Sequence, residues 1–360
     1  MPSTGRAGMD LAVIGGGVIG LSVARRAARE GLSVRVHRPS APGAGGDHVE
    51  PGASWVAGGM LAPHSEGWPG EERLLRLGLA SLEMWHRGFL EGLPPLVVTA
   101  RGSLVVAVDR ADIADLKTVG EWLSAQGHPV TLTDSARELE PFLAQGIRHG
   151  LFADTELAVD NRAVIEALAA QCDRLGVQWA PPVRDLADVA DAGTTVIANG
   201  IDAPALWPGL PIRPVKGEVL RLRWRPGCMS VPKHVIRARV HGRQVYLVPR
   251  ADGVVVGATQ YERGRDTAPA VTGVRALLDD ACAVLPALGE YEFAECAAGL
   301  RPMTTDNLPI VGRLDDRTLV AAGHGRSGFL LAPWTAEAIV AELRGAPLPD
   351  AEDLTGAMAR

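Results

Sequence analysis

Three glycines near the start of the chain have the spacing of a phosphate cradle. Gly15, Gly17 and Gly20 stand in the order G-x-G-x-x-G, after the uncharged run Leu11–Ile14 and before a helix-forming stretch from Val18 to Glu30. In that setting each glycine has its own task. Gly15 makes the tight turn, Gly17 lets a pyrophosphate approach the backbone, and Gly20 lets the helix pack closely on the strand. The helix start at Val18 and Ile19 offers free N–H groups and a positive dipole end to that phosphate. The acid that grips a ribose about 20 residues further on is missing, because the second strand ends in His37-Arg38-Pro39. Arg38 suits a 2′-phosphate, hence NADP. It equally suits the adenine or a phosphate of FAD, so this stretch leaves both cofactors open.

Other chemistries leave no trace. The nine histidines show no H-E-x-x-H or other ligand spacing, so no metal is expected. There is no Ser/His/Asp order and no notable pair of carboxylates. Cys172, Cys228, Cys282 and Cys296 are far apart with no C-x-x-C, which predicts reduced thiols in a cytoplasmic protein. A formal net charge of -6 and a pI near 5.9 argue against nucleic acid or an anionic membrane as the main partner. No apolar run approaches the roughly 18 residues of a membrane span. Met1–Gly8 is small and polar, and we expect no signal peptide.

The elements that must position these residues alternate along the chain. With 360 residues, two domains with sizeable cores are expected. Strand Leu32–Val36 completes a strand–helix–strand unit, and the Gly- and Pro-rich Pro39–Pro51 reads as a mobile loop. In Gly52–Pro63, small residues at Ala57, Gly58 and Gly59 either let backbone touch a flat, bulky group or begin a tight helix. A helix is expected over Glu71–Leu93, and a β-rich stretch with a central Gly turn over Leu96–Val108. Helices follow at Ile113–Gln126 and Arg162–Leu175, the second capped by Asp160 or Asn161. Thr194–Ala198 returns the chain to a parallel sheet. From Ile212 to Val256 the residues alternate between apolar and polar, the pattern of an antiparallel sheet. Thr272–Leu285 reads as a helix, Gly299–Gly312 as a loop, and Gly323–Gly328 as a second glycine-rich strand-to-helix turn before the apolar helix Phe329–Leu343. The fold class is therefore α/β, with a second, antiparallel-sheet domain.

Five blocks in one order carry a further signal: AVIGGGVIGLSVARRAAREG, GASWVAGGMLAP, YLVPR with GVVVGAT, AGLRPMTTDNLPIVGR, and AGHGRSGFLLAPWTAEAI. Together they span nearly the whole chain. They resemble the D-amino acid oxidase family of FAD enzymes, nearest to its bacterial glycine oxidase branch linked to thiamin synthesis. The resemblance implies a Rossmann-like FAD domain of the glutathione-reductase type, built from residues 1–90, 150–212 and 297–360. A substrate domain would comprise 91–149 and 213–296.

The resemblance also implies roles. Arg301 would clamp the substrate carboxylate with its planar fork, Tyr246 would turn its hydroxyl to the substrate, and Arg326 would stand near the pocket. FAD would lie against Gly15, Gly17, Val18, Ile19, Gly20 and Arg38. Its ring would touch Ala57, Gly58, Gly59 and Met60. Its adenosine half would meet Val183, and its pyrophosphate the turn Ala198-Asn199-Gly200. The turn Gly325, Arg326, Ser327 and Gly328 would meet the pyrimidine edge of the flavin. The flavin would be non-covalent, since related sarcosine oxidases use a Cys where this chain has Arg301-Pro302-Met303. Gln260 departs from the apolar residue common in glycine oxidases, and His324 reads as structural. The implied reaction oxidises glycine or another small amino acid or amine with oxygen, releasing a 2-oxo acid, ammonia and hydrogen peroxide. A dehydrogenase using a quinone or carrier, an oxidase of a specialised secondary-metabolite amine, and an NADP reductase stay as alternatives. A homo-oligomer is expected.

Overall fold

The computed structural model describes residues 9–39 and 52–346. The expectations for Met1–Gly8 and for nearly all of the loop Pro39–Pro51, as well as the chain after 346, lie outside the described residues. Two sheets divide the rest. The first has six strands in the order Ile310–Arg313, Thr318–Ala322, Ala192–Ile197, Met9–Ile14, Val34–His37 and Gln178–Ala180. Five of these run parallel; Ile310–Arg313 is antiparallel to its neighbour. Leu11, Ala12 and Val13 at its centre are fully buried, as expected for a strand covered on both faces.

Helix Val18–Arg29 packs against Asn161–Arg174 and Gly328–Leu343. Asp160 caps the second of these, accepting from the N–H groups of Arg162 at 2.9 Å and Ala163 at 3.1 Å, which satisfies donors that no helical carbonyl can reach. The third carries Pro333 in its interior, which has no N–H for the Phe329 carbonyl. Trp85 repairs the gap: its Nε1 donates to Phe329 O and Leu330 O, both at 3.1 Å. The helix Glu72–Met84, continued by the π-turn Trp85–Phe89, thereby locks onto it.

The second sheet has nine strands. Its main order is Glu292–Met303, Arg213–Arg223, Gly253–Gly257, Arg243–Arg250, Val235–Val240, Val98–Val106, Gly150–Val159 and Met60–Leu61, with Thr131–Thr133 beside Gly150–Val159. Three expectations change here. The sheet is mixed, because Val235–Val240 and Val98–Val106 pair in parallel. Leu96–Val108 is not turned at its glycine. Val98–Val106 is one strand, bulged between Arg101 and Ser103, with Gly102 at φ +82; a bulge, like a turn, needs a residue free to adopt positive φ.

Gly299–Met303 belongs to a strand rather than a loop. Pro302 is tolerated because this is an edge strand, where a missing N–H costs no ladder bond. Gly150–Val159 and Met60–Leu61 also hydrogen-bond into the second sheet. Both lie within the ranges expected for the FAD domain; a strand's own residues do not reveal its partner.

Candidate active site

The two sheets meet around a cleft of about 1660 Å³. One end is the glycine cradle. Gly15 has φ +126, and a Cβ there would collide with Ala198 O; a Cβ on Gly20 would collide with Gly15 O. These clashes match the turning and packing tasks assigned to the two residues. Gly17 caps the helix without a side-chain bond, and Val18 N donates to Ser54 Oγ at 3.1 Å. Gly15, Gly17, Val18, Ile19, Ala198, Asn199 and Gly200 all line the cleft.

Arg38 lines it too, with its guanidinium 3.9 Å from the Trp179 ring centroid, an attractive cation–π distance. Val183 is elsewhere. It packs beside Met9, Ala12 and Ile14, off the cleft lining. Gly20 and Ser327 are also behind the surface; Ser327 is 5% exposed.

The other end is the second glycine turn. Gly325–Ser327 forms a 3-10 turn leading into helix Gly328–Leu343. An isolated bridge between Met303 and His324 ties this turn to the strand that carries Arg301. Gly325 has φ +54, and a Cβ there would stand 2.8 Å from Met303 Sδ. The strand end and the turn thus share one wall.

The sheet between them presents the reactive side chains. Arg301 pairs with Val215, and its guanidinium lies over Gly217, whose missing Cβ would occupy the same space. Among the described residues its one polar bond runs from Nη1 to Thr259 O at 3.2 Å. Among the described residues no carboxylate is within ion-pair distance of it. Tyr246 sits between two further glycines. A Cβ on Gly58 would lie 2.9 Å from its ring, and one on Gly257 would collide with it. Burial raises the Tyr246 pKa, partly opposed by the Arg301 charge, so the phenol stays protonated and able to donate.

Ala57, Gly58, Gly59 and Met60 form the facing wall. Gly59, at φ +73, accepts from Val159 N at 2.8 Å, and Arg250 Nη2 donates to Gly58 O at 2.8 Å. Asn161 braces the short helix before it, donating to Ser54 O at 3.0 Å and Trp55 O at 2.7 Å. Gln260 lines the cleft. Arg326 does not stand free: its Nη2 donates to Glu71 Oε2 at 2.7 Å, and its Nε is 3.5 Å from Glu66 Oε2.

His324 is buried, and its Nε2 meets Thr335 Oγ1 at 2.9 Å. Burial lowers its pKa from 6.5 to about 3, so it is a neutral structural residue. Unfolding frees it to bind a proton anywhere between those values, so acidification below about pH 6.5 favours the unfolded chain. We expect the melting temperature to fall as pH drops from 6.5 toward 4, and to fall less steeply in His324→Gln. Parallel slopes in calorimetry would refute this.

The residues present fit an extended FAD. A glycine cradle at a helix N-terminus suits the pyrophosphate. Asn199 Oδ1 is buried with no hydrogen-bond partner, an acceptor that a ligand hydroxyl satisfies. The wall at Ala57–Met60 carries little side chain to obstruct a flat ring. No site role was read from the sequence for Ser54, Glu66, Asn161, Arg237, Gly217 or Gly257. The last two had a readable signal, as glycines inside strand patterns mark close approach of another group.

Fold and site define a two-sheet flavin-dependent oxidoreductase. The family model DAO, FAD dependent oxidoreductase, matches residues 10–343, and the chain belongs to that family. It is 36% identical over 333 residues to the putative thiamine biosynthesis oxidoreductase ThiO of Rhizobium etli, covering 90% of this chain and 93% of that one. It is 32% identical over 370 residues to the glycine oxidase of Bacillus licheniformis, with 94% of each covered. The crystal structure of glycine oxidase from Geobacillus kaustophilus superposes with a TM-score of 0.84 at 26% identity, covering 94% of this chain and 95% of that one. The chain spans about half (51%) of the bifunctional ThiO/ThiG protein of Synechocystis sp. that it also matches.

Proposed function

We propose that this protein oxidises glycine or another small amino acid or amine, and that Arg301 and Tyr246 hold the substrate carboxylate. The observation that carries the reading is the half-buried Arg301 on the cleft wall, with one neutral acceptor and no anion among the described residues. A guanidinium partly withdrawn from water calls for an anionic partner, and a carboxylate matches its fork. The protonated Tyr246 adds a second donor. Bound FAD supplies the two-electron acceptor.

The chain's own work is orientation. Two donors fix the carboxylate and would thereby hold the Cα–H bond in one orientation in the cleft, while Ala57–Met60 would support the flat ring. No side chain is assigned the part of a strong base; a neutral amine needs none. In balance, amino acid, oxygen and water give 2-oxo acid, ammonia and hydrogen peroxide. Catalysis is then mostly positioning and fixed dipoles, and the helix N-terminus at Gly325–Gly328 would favour negative charge on a flavin bound beside it.

The test is a panel of glycine, sarcosine and small D-amino acids scored for peroxide. Substrate consumption without peroxide would transfer the protein to the dehydrogenases. In Tyr246→Phe we expect KM to rise about tenfold, the worth of one hydrogen bond to a charged group, with flavin content unchanged. An unaltered KM would remove Tyr246 from the substrate. The reading includes a cytoplasmic setting, supported by the four unpaired cysteines and by the lack, among the described residues, of any helix long and apolar enough to cross a membrane.

A further inference from the structure

Tyr246 has a cross-strand neighbour that the reading above does not use. Arg237 stands directly opposite it, so both side chains leave the same face of the sheet, and both line the cleft. Arg237 Nη1 lies 2.6 Å from Glu66 Oε1, each side chain only 14% exposed. Their alignment falls short of a hydrogen bond, and Nη1 is buried without a hydrogen-bond partner. Glu66 is the centre of this group, with Arg326 on its other oxygen at 3.5 Å.

We infer that Arg237 and Glu66 determine specificity: they receive whatever the substrate carries beyond its carboxylate, and they select a neutral group that both donates and accepts, such as a hydroxyl or primary carboxamide. The inference rests on the amine-oxidising reading of the same cleft. With the carboxylate on Arg301 and Tyr246, a substituent reaching past the phenol meets this pair. An apolar substituent would strip water from a guanidinium and a carboxylate and restore none of their hydrogen bonds. A second carboxylate would meet Glu66, and a second cation would meet Arg237. A hydroxyl accepts from the guanidinium, whose Nη1 is ion-paired but makes no aligned hydrogen bond, and donates to the carboxylate. Glycine reaches neither and leaves the pair to water.

Two secondary amines of nearly equal size test this: N-(2-hydroxyethyl)glycine and N-propylglycine. In the wild-type holoenzyme kcat/KM should favour the hydroxyethyl compound by about tenfold or more, as a site built to hydrogen-bond rejects an analogue lacking the group. Iminodiacetate should be poorer than the hydroxyethyl compound. In the double variant Arg237→Leu, Glu66→Leu the ratio should fall to about one or invert, read against that variant's own activity on glycine.

A wild-type ratio within about twofold overturns the inference. So does a preference for iminodiacetate, or a double variant that keeps the full ratio. If the double variant does not retain flavin, Glu66→Gln replaces it and should lower the ratio; an unchanged ratio counts against us. Turnover of glycine with a ratio near one sinks this inference alone. If no amine is oxidised, the oxidase reading fails, and the ratio of dissociation constants for the two compounds, read from the flavin absorbance, still decides the specificity claim.

Discussion

Arg301→Ala should keep its flavin and its fold while kcat/KM falls by roughly 10²–10³-fold, mostly through KM. That is the scale for truncating one partner of a desolvated, hydrogen-bonded charge pair. The physical reason is local. The guanidinium lies over Gly217, half-buried, and gives one bond to Thr259 O. Its removal leaves the substrate carboxylate with Tyr246 as its only assigned donor. Arg301→Lys keeps the charge but loses the planar fork, so it should recover only part of the loss. Steady-state kinetics beside a visible flavin spectrum separate the cases. A structural arginine would take flavin content and melting temperature down together. Unchanged kinetics in both variants would end the carboxylate assignment.

Gly15→Ala should give a protein largely without flavin. The residue sits at φ +126, where a side chain is strained, and its new Cβ would collide with Ala198 O in the turn that lines the same cleft. Together the backbone strain and overpacking cost roughly 2–5 kcal/mol. The strand and turn must separate to relieve them, and they form the cradle. We expect weaker FAD binding by two orders of magnitude or more, together with a lower melting temperature. Gly31→Ala is the comparison: its φ is +86, but nothing lies within 4 Å of the new Cβ. It should show the strain without loss of flavin, and equal flavin loss in both would mean that crowding at Gly15 is not the cause.

Much of the site was legible before the structure because it depends on short-range chemistry. The spacing of Gly15, Gly17 and Gly20 is enough for a strand-to-helix cradle, since all three act within one turn of backbone. Asp160 could be read as a cap for the same reason. Burial on both faces was visible in the uninterrupted apolar run of the first strand. Arg301 and Tyr246 were found through blocks of resemblance rather than through any local rule; taken alone, one arginine and one tyrosine carry no spacing signal.

What escaped the sequence depends on which strands meet. Gly299–Met303 looked like a loop because proline and glycine break patterns, yet an edge strand tolerates both. That Gly150–Val159 and Met60–Leu61 join the second sheet was not readable, because hydrogen-bond partners are chosen across the chain. Arg326 lines the cleft, as the resemblance implied, but residue spacing held no sign that tertiary packing ties it to Glu71 and Glu66. Arg237 lay inside an ordinary alternating strand, and only the register opposite Tyr246 gives it meaning. The sequence by itself determined the cradle and the class of sheet around it, because these rest on backbone freedom and apolar periodicity; the family came from its blocks of resemblance. The tertiary structure alone decided which charges share the cleft and which are neutralised. Ion pairs and cross-strand contacts follow distance in space, which residue spacing does not encode.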